Sequence, residues 1–463
     1  MADPDADLVY HFADLAVDTK FSRLPTNAVE AAKKTILDTL GVTLAAGGLE
    51  PVIAQVVDYV REVGGREEAT VLGADLRAPA GMAAFANGAM SHCLDYDDYT
   101  MWGHHAASSI VPAVFAAAER RGGVSGQEMI TAVAVGQDIF ARLRCNVEWR
   151  KDWNISPVMG SFAGAAAASR VLGLSREQTV HALGIASMRS CGTMEVVRGV
   201  SDVRGIYAGF SAEGAVVAAL LAEKGVTGLS TLFEGKYGFM NTYFAGAYDR
   251  PKILEGFGKD YLGSATLYKR WPSVSTSHSH IHATIELLTE RDVKAEDVQE
   301  IRVHVGDWHQ VMCEPLDARR APTTVLDAKF SLPYLVGIAA VKREICVADL
   351  SESALNDPEV LAVAHRVVPV PDTALDWNLE IPSGRIEVIT HDGRRFEKAG
   401  SNTPGSVAAP MTWEDLGRKF DDCASAAAVK LPSSQVERAK KTVRELEALP
   451  DATDVLGQLQ TMP

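Results

Sequence analysis

Several features that would settle a function at a glance are missing from this chain. Its six cysteines (Cys93, Cys145, Cys191, Cys313, Cys346 and Cys423) are scattered through 463 residues and form no CxxC pair. That excludes a disulfide framework and a zinc-ribbon pattern, and reads as reduced thiols of a cytoplasmic protein. The opening residues, Met1 to Asp7, are acidic and lack the apolar run of a signal peptide. No uncharged apolar stretch reaches the ~18 residues of a membrane span. Basic residues are outnumbered 45 to 60, for a formal charge of −15. Neither nucleic acid nor an anionic membrane surface is therefore expected as a partner. Gly64, Gly65 and Gly73 lack the strand–turn–helix setting of a phosphate cradle, so no dinucleotide site is read. There is no HExxH motif, no internal repeat and no low-complexity tract.

What is present is an ordinary globular composition, 47% apolar and 23% charged, in a chain long enough for two domains. The first half reads as helix after helix. Thr26 follows Pro25 as an N-cap, and Ala32, Ile36, Leu37, Leu40 and Leu44 recur at helical spacing. Ser175-Arg-Glu-Gln178 has the form of a capping box. Alanine-rich segments at 107–119, 127–143, 162–171 and 211–223 are apolar on most faces, which predicts buried helices. Near residue 265 the period changes. Ile301, Val303 and Val305 alternate with Arg302 and His304, as on a half-buried strand. Ile386, Val388 and Thr390 run into Asp392-Gly393, the pair favoured in a type I′ hairpin turn. Helical pattern resumes with Thr412-Trp-Glu-Asp415 and again at Ser434. The expected fold class is α+β: a large all-α domain (1–264 and 401–463) interrupted by a smaller α+β domain at 265–400.

Three places could carry chemistry. From Ser91 to His105 the chain holds Asp95, Asp97 and Asp98, then His104 and His105, ahead of an apolar helix. Carboxylates and imidazoles held together shift one another's proton affinity, as proton-transfer sites require. The plainer reading is an acidic helix cap. The second place is His278-Ser-His-Ile-His282, with Lys269-Arg270-Trp271-Pro272 just upstream. On a strand the three imidazoles share a face; on a helix only His278 and His282 do. Zinc needs three or four ligands and an outer shell, and no partner motif supplies them, so no metal is read. Lys269 and Arg270 can clamp a carboxylate, or can belong to an ordinary surface loop. Third, Arg204 stands between Val203 and Gly205 at the mouth of an apolar helix, as a paired structural arginine or an anion-binding group.

Taken in order, these segments resemble the MmgE/PrpD family of 2-methylcitrate dehydratases, cis-aconitate decarboxylases and iminodisuccinate epimerases. Asn87-Gly-Ala-Met-Ser-His-Cys-Leu-Asp-Tyr-Asp-Asp98 is similar to its NGxxxHxLDxDD signature. His105-Ala-Ala-Ser-Ser-Ile-Val-Pro-Ala113 is similar to its HP…PA segment, with Ala106 in place of proline. The Gly160–Ala168 run, Phe233-Glu-Gly235, Lys269…Trp271-Pro-Ser273…His278 and Ala328-Lys-Phe-Ser-Leu-Pro-Tyr334 follow in family order. The resemblance spans nearly the whole chain. It implies a helical domain with an inserted α+β lid, a cleft between them, a homodimer, and no metal or organic cofactor.

By position, the resemblance makes Asp95, His105, Lys269 and His278 active-site residues. Three positions depart from the family pattern. Asn154 replaces the histidine of a WHPT segment, Arg204 replaces a lysine, and Tyr99 stands where threonine is usual. Asparagine removes a titratable group, and arginine keeps the charge but not an exchangeable proton. The implied chemistry is proton abstraction next to a carboxylate in a small di- or tricarboxylic acid. His105 is expected as acid/base with Asp95 orienting it, Lys269, His278 and Tyr99 assisting, and Arg204, Asn154, Ser156, Arg270 and His104 contacting substrate. Net loss of water or CO₂ makes a lyase; reprotonation makes an epimerase or isomerase; loss of activity leaves a carboxylate-binding relative.

Overall fold

Small residues decide how closely the N-terminal helices approach. In the computed structural model, which describes residues 6–199 and 201–460, the chain divides into two compact units. The first comprises the described parts of Met1–Cys93, His104–Thr266 and Leu416–Pro463, and the second comprises Leu94–Gly103 and Leu267–Asp415. The chain is mostly helical with a small mixed sheet, the α+β class expected. The division differs from the sequence boundaries in three places: Leu94–Gly103 and 401–415 fall in the second unit, and 265–266 in the first. Tyr99 explains the placing of Leu94–Gly103, because its backbone pairs with Leu267 through bonds of 2.9 and 2.8 Å.

In the first unit the helices Ala80–Cys93, Ala107–Arg121, Gly126–Cys145, Ile155–Leu172 and Val203–Glu223 pack on one another. All four alanine-rich segments lie in these helices, and Ala163 through Ala168 are fully buried. Ala80–Cys93 and Val203–Glu223 meet through glycines. A Cβ on Gly209 would sit 2.5 Å from the Phe85 carbonyl oxygen, and one on Gly88 3.0 Å from that of Ala208. Val203–Glu223 is long and apolar enough to cross a membrane by length and composition, yet most of it is buried against its neighbours. The Ser175 capping box is present: its hydroxyl accepts from Gln178 N at 3.2 Å, and Gln178 accepts from Ser175 N at 2.9 Å. Thr26 is not a cap. Pro25 holds that position in front of the Thr26–Leu49 helix, and no side chain caps it.

A fully buried arginine fastens the segment that ends this part of the chain. Arg142 Nε donates to Asp138 at 2.7 Å, and its other nitrogens donate to the carbonyls of Ile253 (2.8 Å), Glu255 (2.7 Å) and Asp260. Burial raises the Asp138 carboxyl above its usual range, against the pull of Arg142. This pair is a case where losing one partner hurts more than losing both.

The second unit holds the sheet. Besides two short paired strands in the first unit, β1 (Ala69–Thr70) and β2 (Arg77–Ala78), the strands are β3 (Val298–Val305), β4 (Val367–Pro371), β5 (Arg385–Thr390) and β6 (Arg395–Ala399). Their order is β4-β3-β5-β6, with β3 parallel to β4 and antiparallel to β5. Ile301 faces Val388 and Val303 faces Ile386, so the inward residues of both strands share one face. The helices His278–Glu290 and Leu332–Lys342 bury Ala283, Leu287, Leu332 and Val336 in the same core. The hairpin expected at Asp392-Gly393 is there, but its turn is not type I′. Only Gly393 has positive φ (84°); Thr390 O accepts from Gly393 N at 2.9 Å and Thr390 N donates to Arg394 O at 3.0 Å. This is a turn followed by a left-handed glycine, as in a bulged hairpin loop.

Arg142→Met should lower unfolding free energy by about 3–5 kcal/mol, because it strands a buried carboxylate. Adding Asp138→Asn should restore part of the loss, as read by urea denaturation. A single mutant as stable as the parent would refute the structural role.

Candidate active site

The first unit assembles one group of the candidate residues at helix ends. His92 lies in the last turn of Ala80–Cys93, and His104 and His105 precede Ala107–Arg121. His105 N donates to Ser156 Oγ at 3.0 Å. Ser156 is the second residue of the Ile155–Leu172 helix, whose N-cap is Asn154. Asn154 is 3% exposed, makes no capping bond, and its Nδ2 has no hydrogen-bond partner. The His92 ring packs between His105 and Tyr207, with centroids 4.8 and 4.3 Å away. Tyr207 stands one turn beyond Arg204, and residues three apart on a helix are neighbours. Arg204 is buried in the first turn of Val203–Glu223. A helix N-terminus, an amide donor and a guanidinium together favour an anionic ligand.

His104 is placed differently. Its backbone has φ of 72°, its ring stands edge-on to Trp149 at 4.5 Å, and its Nδ1 accepts from Arg144 Nε at 3.0 Å. The Arg144 guanidinium also lies 5.3 Å from the Trp149 ring. Burial pulls Arg144 down to about 10, so it remains a cation at neutral pH. Because Nδ1 accepts, the proton of a neutral His104 sits on Nε2. His104 is thereby oriented as a donor.

The second unit gathers the rest. Lys269 is fully buried, and its ammonium bonds Asp95 twice: to the carbonyl oxygen at 2.7 Å and to the carboxylate. Asp95, expected to orient His105, is bonded within this unit to Lys269. Asp95 has φ of 50°, a left-handed geometry that aspartate tolerates better than most residues. Tyr99 donates its hydroxyl to Gly405 O at 3.1 Å, and burial raises the phenol well above its usual range. It stays protonated. Arg270 turns to Glu344 at 2.7 Å and Trp271 Nε1 bonds the same carboxylate at 2.9 Å, so Arg270 is a structural cation rather than a substrate clamp.

The histidine triplet is helical. His278 and His282 both face Trp271, with centroids 5.3 and 6.4 Å from it, while His280 is buried on the other side with Nε2 2.7 Å from His304 O. Burial lowers the His280 proton affinity, which keeps it neutral. His278 and Tyr99 line a cavity of ≈ 330 Å³ within this unit, together with Ser275, Ser279 and the 400–408 loop.

Residues 10–251 match the MmgE/PrpD N-terminal domain, and residues 271–448 match the MmgE/PrpD C-terminal domain. The chain belongs to the MmgE/PrpD family. It is 26% identical to a cis-aconitate decarboxylase of Aspergillus terreus over 98% of this chain and 95% of the relative. It is 28% identical to the cis-aconitate decarboxylase of Homo sapiens over 96% of this chain and 92% of that one. With the mitochondrial 2-methylcitrate dehydratase of Yarrowia lipolytica it shares 23% identity over 87% of this chain and 81% of the relative.

Arg144, Trp149 and Tyr207 were missed in the sequence, and His92 entered only as the histidine of the NGxxxHxLDxDD signature. The available signal was Ala141-Arg-Leu-Arg-Cys145, two arginines in the last turn of a largely buried helix. Nothing in the pattern distinguishes Arg142, which ties down backbone, from Arg144, which holds a histidine. ¹⁵N NMR of the parent protein should show His104 protonated on Nε2 with Nδ1 as acceptor. Arg144→Met should release that tautomer, and an unchanged His104 spectrum would refute the assignment.

Proposed function

We propose that this chain is a lyase that removes CO₂ or water from a small tri- or dicarboxylic acid, with the proton handled by His105. The observation that carries the reading is the likeness to cis-aconitate decarboxylases over 96–98% of the chain, against 77–87% for the dehydratases. That ordering favours decarboxylation. No relative among these is an epimerase, so that alternative gains no support.

Both reactions place a negative charge next to a carboxylate. In decarboxylation the C–C bond to CO₂ breaks when it stands perpendicular to the adjoining π-system. Its electron pair delocalises there, and a proton from His105 completes the product. In dehydration a base removes the proton first, and the leaving hydroxyl takes one up. Either way the barrier falls where fixed donors meet the developing charge. In the proposal Arg204 and Asn154 hold a carboxylate at the head of the Ile155–Leu172 helix. Ser156 holds the His105 backbone. Arg204 supplies charge compensation there in an acidic protein. Arginine there keeps its proton at every working pH, which makes it a binding cation rather than an acid.

His105→Gln should reduce turnover by more than ~10²-fold while the substrate still binds. Near-parental turnover in that variant would end the assignment. A homodimer is part of the proposal, supported by an apolar strip on Val203–Glu223 where Val203, Phe210 and Leu221 are 42%, 43% and 37% exposed. Light scattering should give twice the 49.6 kDa chain mass, and Phe210→Asp should shift it towards the monomer. A parent protein that scatters as a monomer would remove the dimer from the account.

A further inference from the structure

The loop from Asn146 to Asn154 joins the helices Gly126–Cys145 and Ile155–Leu172 and lies wholly within the first unit. Its backbone is tied at both ends. Asp249 N donates to Asn146 O at 2.9 Å and Glu148 N to Ala247 O at 3.0 Å, while Met194 N donates to Asp152 O at 2.8 Å. Arg150 and Lys151 at its crest are exposed, Lys151 with φ of 61°. Trp149, between the two ends, is half-buried.

Three contacts meet on this indole. The His104 ring stands 4.5 Å away at 82°, the Arg144 guanidinium lies 5.3 Å away, and Nε1 donates to Trp153 O at 2.9 Å. The third contact bears on the head of Ile155–Leu172. The peptide unit joining Trp153 to Asn154 is held on both edges: Trp149 takes its carbonyl, and its N–H donates to Gly192 O at 3.0 Å. A peptide unit is planar and rigid, so pinning both edges fixes the direction in which the Asn154 side chain leaves the backbone. That side chain is 3% exposed, makes no capping bond, and has an Nδ2 without a partner. An open buried donor costs stability, and such groups in native proteins are rare. Here the surrounding backbone holds one in place.

We infer that Trp149 is a positioning residue for two ligand-binding groups of the first unit: its ring steadies the His104 imidazole, and its N–H sets the direction of the Asn154 amide. The two arms are separable. The ring contacts can be made by another aromatic residue, whereas the hydrogen bond needs the indole N–H. The inference rests on the carboxylic-acid reading above, in which Asn154 holds a carboxylate. It adds that one indole orients both groups.

The test compares Trp149→Phe, Trp149→Leu and Asn154→Ala in the full chain. Binding of cis-aconitate and of 2-methylcitrate is followed by calorimetry, and the ligand-free proteins by ¹⁵N NMR. Asn154→Ala should weaken Kd by about tenfold and Trp149→Phe by about fivefold. The double variant should match Asn154→Ala alone, because the lost N–H acts only through the amide; independent effects would multiply to about fiftyfold. His104 should keep its proton on Nε2 in Trp149→Phe, and its ring signals should broaden only in Trp149→Leu. Multiplying effects, or parental binding by Trp149→Phe where Asn154→Ala binds weakly, overturns the inference and leaves the carboxylic-acid reading intact. Parental binding by Asn154→Ala removes that residue from the carboxylate site and the inference with it. If neither acid binds the parent protein, the reading itself fails and takes the inference with it.

Discussion

The ammonium of Lys269, wholly buried, holds Asp95 by its carbonyl and its carboxylate together. A buried charge is tolerated only where it is paired and hydrogen-bonded, and this pair meets both conditions. Its geometric effect reaches further. It fixes Asp95 in a left-handed conformation, and the chain then runs on to Tyr99, whose backbone pairs with Leu267 and whose hydroxyl caps Gly405. Leu94–Gly103 is thereby fastened to the second unit, although it is flanked in sequence by His92 and His104 of the first. The candidate catalytic stretch depends on that anchoring.

An acidic protein that handles an acidic ligand must hide its useful cations from its own field. Here Arg142, Arg144, Arg204 and Lys269 are all buried, whereas the net excess of carboxylates is left to the rest of the chain. Their surroundings differ in kind. Arg142 is saturated by one carboxylate and several backbone carbonyls, so it acts as a fastener. Arg144 sets the tautomer of His104, and Arg204 lies in the first turn of a long helix beside Tyr207. In a low-dielectric setting such groups act strongly on a ligand's charge, which is how a site can oppose the field of the whole.

Much of the fold was legible because its signals are local. The alanine-rich runs, the Ser175 box and the alternation of Ile301, Val303 and Val305 each report directly on a helix face, a cap or a strand. Errors came where backbone geometry rather than residue type decides. Pro25 displaces Thr26 from the cap, and Asp392 keeps negative φ because the loop is closed by Thr390 and Arg394. Candidate residues were legible as types but not as partners. Asp95 could be named from its motif, but its bond to Lys269 joins positions far apart in sequence. Arg270 looked like Lys269's equal until Glu344 took it. Arg144 was invisible because an arginine on a largely buried helix reads the same whether it binds carbonyls or a histidine.

Bound carboxylic acid is converted with a proton handled by the enzyme. The most direct measurement is incubation of the parent protein with cis-aconitate and with 2-methylcitrate in D₂O, followed by NMR. Net conversion is expected: either CO₂ loss with one solvent deuterium on the product carbon, or a new olefin from the hydroxy acid. Deuterium exchange without net conversion, or binding with no change in the acid, would contradict it.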